Sequence, residues 1–148
     1  AETAQDIKDR LVRAVDEDTE AFNGVIAGIR MPKDTEEQLA ARAAAIQAGY
    51  KAAAEVPLQT AKLCRQVLDL CQQAADIGNE AVMSDAGVGA LMARAGVQGA
   101  IHNVRINLPH TKDEAFVASM QAELGTLLEE SREICEAIQD QVERSFTS

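Results

Sequence analysis

Aromatic side chains are nearly missing from this chain of 148 residues, which has no tryptophan, one tyrosine and three phenylalanines. Aromatic and β-branched runs of the kind that build sheets are missing with them, which argues against a strand-rich fold. Proline is scarce as well, three in all, so little interrupts long helical periods. No apolar run approaches the roughly 20 residues a membrane span requires, and no signal peptide is visible, so a cytoplasmic protein is expected. Basic residues are outnumbered 24 to 14, for a net charge of −10. That balance argues against nucleic acid, whose phosphates need Lys and Arg, and equally against an anionic membrane surface. The three cysteines are an odd number with no CxxC pair, and therefore suggest no disulfide framework. Cys64 and Cys71 share one helix stripe with Leu68 and Ala75 and read as small core residues. His102 and His110 lack ligand-like spacing to any cysteine or acid cluster, so no metal site is expected.

What remains is helical. Alanine, leucine, glutamate and glutamine dominate, and the length fits one domain over residues 1–148 that buries roughly two-thirds of its unfolded surface. In a first segment Ile7, Leu11, Val15, Phe22, Val25 and Ile29 recur at helical steps and form one apolar face. Met31-Pro32 ends it, and Thr35 with Gln38 has the spacing of a capping box for the next helix. That second segment holds one stripe from Leu39 to Ala75, with Pro57 inside it, so a kink is expected there and not a stop. A third runs from about Asp85 to Leu108 and is apolar on nearly every side, which predicts neighbours on most sides. Pro109 closes it. A fourth, from about Asp113 to Phe146, repeats Phe116, Met120, Leu124, Leu127, Ile134, Ile138 and Val142. Short connections between long amphipathic helices predict an all-α antiparallel bundle. Four such segments leave apolar surface uncovered, to be met by a further helix, a dimer partner or both.

Residues 78–108 carry the densest local signals. Gly78-Asn79 tolerates the left-handed backbone that often ends a helix, and Ser84-Asp85 offers side chains able to cap the start of the next. Gly87, Gly89, Gly96 and Gly99 then lie in a segment otherwise suited to helix, each at a cost of roughly 1 kcal/mol against alanine. They point to a neighbouring helix or a ligand close to the backbone. Asn103 and Asn107, one turn apart, share a wheel face with Asp85, Gly89, Met92 and Gly96. That is either a polar groove for a flat heterocycle or a set of amides tying the helix to its neighbours. Asp18 falls between Val15 and Phe22 in the middle of the first apolar stripe. An inward carboxylate there is costly unless paired, and desolvation favours its protonated form, which suits acid or base work. The alternative is a buried aspartate held by an amide or an arginine across the bundle. Arg105 falls with Arg94 and Gln98 on the stripe that reads as solvent.

The ordered set VDEDTEAF at 15–22, MPK at 31–33, VPL at 56–58 and GN…SDAGV…NVRINL from Gly78 resembles the cyclodeaminase/cyclohydrolase family. That family joins the cyclodeaminase domain of formiminotransferase-cyclodeaminase to the stand-alone methenyltetrahydrofolate cyclohydrolases. The resemblance runs from about Asp6 to the C-terminus. It implies a helical fold, a homodimer and chemistry on one-carbon tetrahydrofolates, with no cofactor beyond that substrate. Members begin with a glycine-rich turn and a small-residue helix that have no counterpart before AETAQDIKD, so the chain reads as a fragment of a longer product. On wheel position and resemblance together, Asp18 is the expected proton-transfer group. Asn103 and Asn107 would orient the pterin, Asn79, Ser84 and Asp85 would face it, and Lys33 would meet the glutamate tail. The reaction would be either water addition to methenyltetrahydrofolate or ammonia release from formiminotetrahydrofolate, with the cyclohydrolase slightly favoured. The competing expectation is a catalytically silent helical assembly module.

Overall fold

One long helix, α2 (Glu36–Asp76), forms the spine against which every other helix packs. The computed structural model describes residues 2–78 and 80–147. In it α1 (Glu2–Arg30) precedes α2; α3 (Glu80–Asn107), a 3-10 turn (Leu108–His110) and α4 (Glu114–Ser145) follow. No strand occurs among the described residues, and the chain is an all-α bundle. α3 runs antiparallel to α2: Cys71 faces Gly89, Cys64 faces Gly96, and Ala53 bonds Asn107. α4 returns antiparallel to α3 and lies along α2, tied to it by Lys62–Glu123 at 2.6 Å and Arg65–Glu130 at 3.0 Å.

The helix ends follow from local chemistry. The Thr35 hydroxyl accepts the Gln38 N–H at 3.2 Å, while the Gln38 side chain accepts the Asp34 N–H at 2.8 Å, which satisfies two donors at the start of α2. Asp113 caps α4 by accepting the Phe116 N–H at 3.0 Å. α2 stops where Gly78 takes φ +68°, a backbone conformation available to glycine at no steric cost. It continues through Pro57 without a break. The connection from α3 to α4 is clamped onto α2 by Gln47, whose amide donates to the His110 carbonyl at 2.9 Å and accepts the Lys112 N–H at 2.7 Å.

Three expectations are corrected. α3 starts at Glu80, so Ser84 and Asp85 lie inside the helix and are exposed, not at its cap. Glu80 to Met83 are all compatible with helix, and α3 therefore extends back toward Gly78. α3 is also not enclosed on most sides. Its α2- and α4-facing side holds buried Ala90, Val97, Ile101 and Val104, whereas Val88 and Met92 are 62% and 70% exposed. The glycines explain this side: a Cβ on Gly96 would sit 2.7 Å from the Cys64 sulfur, and one on Gly89 3.0 Å from the Cys71 sulfur. They let α3 settle deep onto α2, and do not need a ligand to account for them.

The third correction concerns α1. Its apolar stripe is covered only in part: Ile7 and Val25 are buried and Leu11 is half-buried against the core, while Val15 and Phe22 are 67% and 53% exposed. α1 packs chiefly on α2, and Val15 and Phe22 have no described element over them. Near its C-terminal end α1 meets α2 at two glycines. A Cβ on Gly49 would lie 2.9 Å from the Val25 nitrogen, and one on Gly28 3.0 Å from the Ile46 nitrogen.

Candidate active site

Between α1 and α3, with α2 as its floor, lies a cleft of about 410 Å³. Asp18 and Thr19 stand on the α1 wall, Thr60 and Cys64 on the floor, and Gly96 and Asn103 on the α3 wall. Pro57 also borders it. The cleft brings together two of the residues singled out from sequence, Asp18 and Asn103, which are 85 positions apart in the chain. Asp18 is exposed, not inward-facing among apolar side chains. Its stripe is uncovered at that point for the reason given above, and the carboxylate stands at an open rim.

Asn103 is exposed and lines the cleft, and its backbone carbonyl accepts from Asn107 at 3.0 Å. Asn107 is occupied otherwise. Its amide nitrogen donates to the Ala53 carbonyl at 2.9 Å, the acceptor that residue 57 would serve in an uninterrupted helix and that proline cannot serve. The Asn107 amide therefore ties α3 to α2, which is the structural alternative raised for this pair. Ser84 and Asp85 do not line the cleft; at 1.5 Å per residue Asp85 lies about 27 Å along α3 from Asn103. Lys33 is exposed in the α1–α2 connection, beyond the end of a helix that already carries it about 18 Å from Asp18. Asn79 lies outside the described residues.

The cleft also contains groups that sequence reasoning did not single out. The Thr60 hydroxyl donates to the Val56 carbonyl at 3.3 Å and the Thr19 hydroxyl to the Val15 carbonyl at 3.1 Å, so each keeps lone pairs to offer an N–H of a ligand. Thr60 shares a helix face with Pro57 and Cys64, a signal present in the sequence at three- and four-residue steps. Burial pushes the Cys64 thiol above the usual cysteine range, so it adds no negative charge to the floor. Chemically the cleft offers one carboxylate, one carboxamide and two hydroxyls beside apolar Leu11, Ala14 and Val15 of the α1 wall. That suits a flat, nitrogen-rich molecule that needs a proton moved.

Comparison with known proteins points the same way. The family described as formiminotransferase-cyclodeaminase matches residues 1–126. A Methylorubrum extorquens protein named methenyltetrahydrofolate cyclohydrolase is 40% identical over 141 residues, covering 95% of this chain and 68% of its own length. The formimidoyltransferase-cyclodeaminase of Sus scrofa is 37% identical over 134 residues, 90% of this chain and 25% of that much longer one. The fold is shared with a solved formiminotetrahydrofolate cyclodeaminase from Thermotoga maritima, at a TM-score of 0.84 and 24% identity, over 96% of this chain and 67% of that one. By the extent of the family match and the identity of these relatives, the chain belongs to the formiminotransferase-cyclodeaminase family.

Proposed function

We propose that this chain is a folate one-carbon enzyme that uses Asp18 to move the proton. Its substrate is either 5,10-methenyltetrahydrofolate, which gains water, or 5-formiminotetrahydrofolate, which loses ammonia. The observation that carries the reading is the cleft that sets Asp18 opposite Asn103, in a chain 40% identical to a protein named for the first of these activities. That relative covers almost the whole chain, and it favours the cyclohydrolase branch.

The two reactions need the same equipment. In the first, water adds to the carbon between N5 and N10; in the second, N10 adds to the formimino carbon. Each gives a tetrahedral carbon. In the first case a carboxylate takes the proton from the attacking water and returns it to the nitrogen that leaves. In the second the carboxylate takes the proton that N10 loses as it adds, and delivers it to the amino group, which leaves as ammonia when its bond to the carbon breaks. Asn103, with both donor and acceptor atoms, would hold the edge of the pterin so that the bridge carbon faces Asp18. Thr60, on the floor, offers an acceptor to a pterin N–H.

The enzyme would work as a homodimer. The apolar groove along α1, about 460 Å³ and lined by Ile7, Leu11, Val12, Val15, Val67 and Leu70, runs into the cleft through Leu11 and Val15. A second copy laid on this groove and on exposed Val88 and Met92 would cover the uncovered apolar surface and close the cleft to water. Sedimentation equilibrium at micromolar concentration tests it, and a monomer there would refute it. Three cysteines without disulfides support a reducing compartment, which we take to be the cytoplasm. Among the described residues no helix is long and apolar enough to cross a membrane.

The activity is tested by following the methenyltetrahydrofolate absorbance with and without protein, beside an ammonia assay on formiminotetrahydrofolate. Acceleration of one reaction supports the reading and names the branch. Absence of both, from protein shown to be folded, would leave the silent assembly module in its place.

A further inference from the structure

We propose that Arg10 and Arg13, on the first helix, receive the carboxylates of the substrate's glutamate tail; the proposal rests on the folate reading above and extends it along α1. A second cleft of about 250 Å³ adjoins the first. Arg10, Arg13 and Glu17 line it from α1, and Gln59 and Thr60 line it from α2. It shares Ala14 and Thr60 with the Asp18 cleft, so the two form one continuous surface.

Position, with charge, points to this pair: Arg30, Lys33, Arg42, Arg94 and Lys112 also make no ion pair among the described residues, but none of them lines this cleft or the Asp18 cleft. In a chain of net charge −10, an anionic tail needs a local cation that is not already engaged. Lys8, Lys51, Lys62, Arg65 and Arg132 are all held in ion pairs of 3.1 Å or less. Arg10 reaches a carboxylate only at 3.8 Å, from Asp6. Arg13 makes no ion pair among the described residues, and Glu17, on the same wall, pairs with neither arginine. Glu17 lines the cleft beside the two arginines and Asp6, outside it, is the 3.8 Å partner of Arg10, so what the site offers an anion is chiefly the Arg13 guanidinium, which has no ion-pair partner among the described residues. Arg105, also without an ion pair, lines a separate cleft at the start of α4 that shares no residue with this one.

The spacing fits as well. Arg13 and Arg10 precede Asp18 by five and eight residues, which places them about 8 Å and about 12 Å along the helix axis. That is about the reach of an aminobenzoyl unit between the reacting carbon and the first glutamate. Arg10 and Arg13 lie one turn apart on one helix face with Ala14 and Glu17, so both guanidinium groups point to the same side. A guanidinium takes a carboxylate through two parallel N–H donors, and the Gln59 amide can donate to the same group. Lys33, the residue the resemblance offered for this task, is at the opposite end of α1.

Equilibrium binding by calorimetry tests the proposal without requiring turnover. The probes are tetrahydrofolate with one glutamate, tetrahydrofolate with three, and a neutral analogue whose glutamate is replaced by an uncharged alkylamide. The Arg10→Gln/Arg13→Gln double variant should weaken the two glutamylated probes by roughly tenfold, the order expected for a lost charge-assisted hydrogen bond. It should leave the neutral analogue's Kd in place, and Arg10→Lys/Arg13→Lys should recover part of the loss. Arg132→Gln, on α4, should weaken none of the three. Equal losses on all three probes, or no loss on the glutamylated ones, overturns the tail assignment. Failure of the wild-type protein to bind any probe overturns it together with the folate reading. Binding without turnover defeats only the proposed chemistry, and the ratio between probes still decides for or against the arginines.

Discussion

The side chain of Asn107 makes the hydrogen bond that Pro57 removes. Its amide nitrogen sits 2.9 Å from the carbonyl of Ala53, four residues before the proline, where an ordinary helix would supply a backbone N–H. α2 can therefore carry a proline through its middle without an orphaned buried acceptor, at the expense of committing an amide from α3.

Because Ala53 is buried, Asn107→Ala should destabilise the fold by about 1–3 kcal/mol, the usual cost of leaving a buried polar group unpaired. In a Pro57→Ala background the backbone N–H returns, and the same Asn107→Ala change should cost much less. Urea unfolding of the four proteins gives the coupling directly. Additive losses would show that the two residues do not share this acceptor.

Gly96 and Gly99 lie on one helix and should respond in opposite directions to alanine. A Cβ at Gly96 would meet the Cys64 sulfur at 2.7 Å, whereas one at Gly99 meets nothing within 4 Å. Gly96→Ala should cost about 1–3 kcal/mol through overpacking against a buried neighbour. Gly99→Ala should stabilise by roughly 0.5–1 kcal/mol through helix propensity. Thermal melts of both variants check the pair, and a stabilised Gly96→Ala would contradict the tight α2–α3 contact.

Asp18→Asn should lower turnover by a factor on the order of 10²–10⁴, the contribution of a positioned acid or base. The exposed position of Asp18 predicts that the variant keeps its helix content and melting temperature. Circular dichroism beside the absorbance assay separates the two effects, and full activity in the variant would remove the assignment.

Asp113 predicts how the fold responds to acid. Its hydrogen bond from Lys51, at 2.6 Å, and then the Phe116 N–H hold this carboxyl below the ordinary aspartate range. A depressed folded-state value means stability that is present above the ordinary range and lost as pH falls through it. Unfolding followed at low salt from about pH 6 down to about pH 3 should show the wild type losing more stability than Asp113→Asn. Parallel curves would mean that this carboxyl is not coupled to folding.

The elements were legible in the sequence because their ends are local. Thr35 with Gln38, Asp113 and Gly78 each act within a few residues, and the structure puts them where their spacing does. Ser84-Asp85 misled because a cap signal competes with the preceding residues, and Glu80 to Met83 favour continuing the helix. The wheel shows which α1 residues share a face but not whether anything covers that face, so Asp18 was expected inside and stands at a rim. The Ala53–Asn107 bond depends on the register between two helices 54 residues apart in sequence, which no local pattern records. Gly28 and Gly49 carry no local signal for the same reason: each matters only through the other helix.

Those two glycines have a mechanical consequence. With no Cβ on Gly28 or Gly49 the two backbones come close enough that a side chain at either would collide, so α1 is held against α2 at this crossing as it is at buried Ile7. Asp18 lies on the span between, about 10 Å from Val25 along the same rod. The width of the gap facing Asn103 thus depends in part on a joint that lines none of the cleft, and a methyl group added at Gly49 should be felt there as a change of aperture.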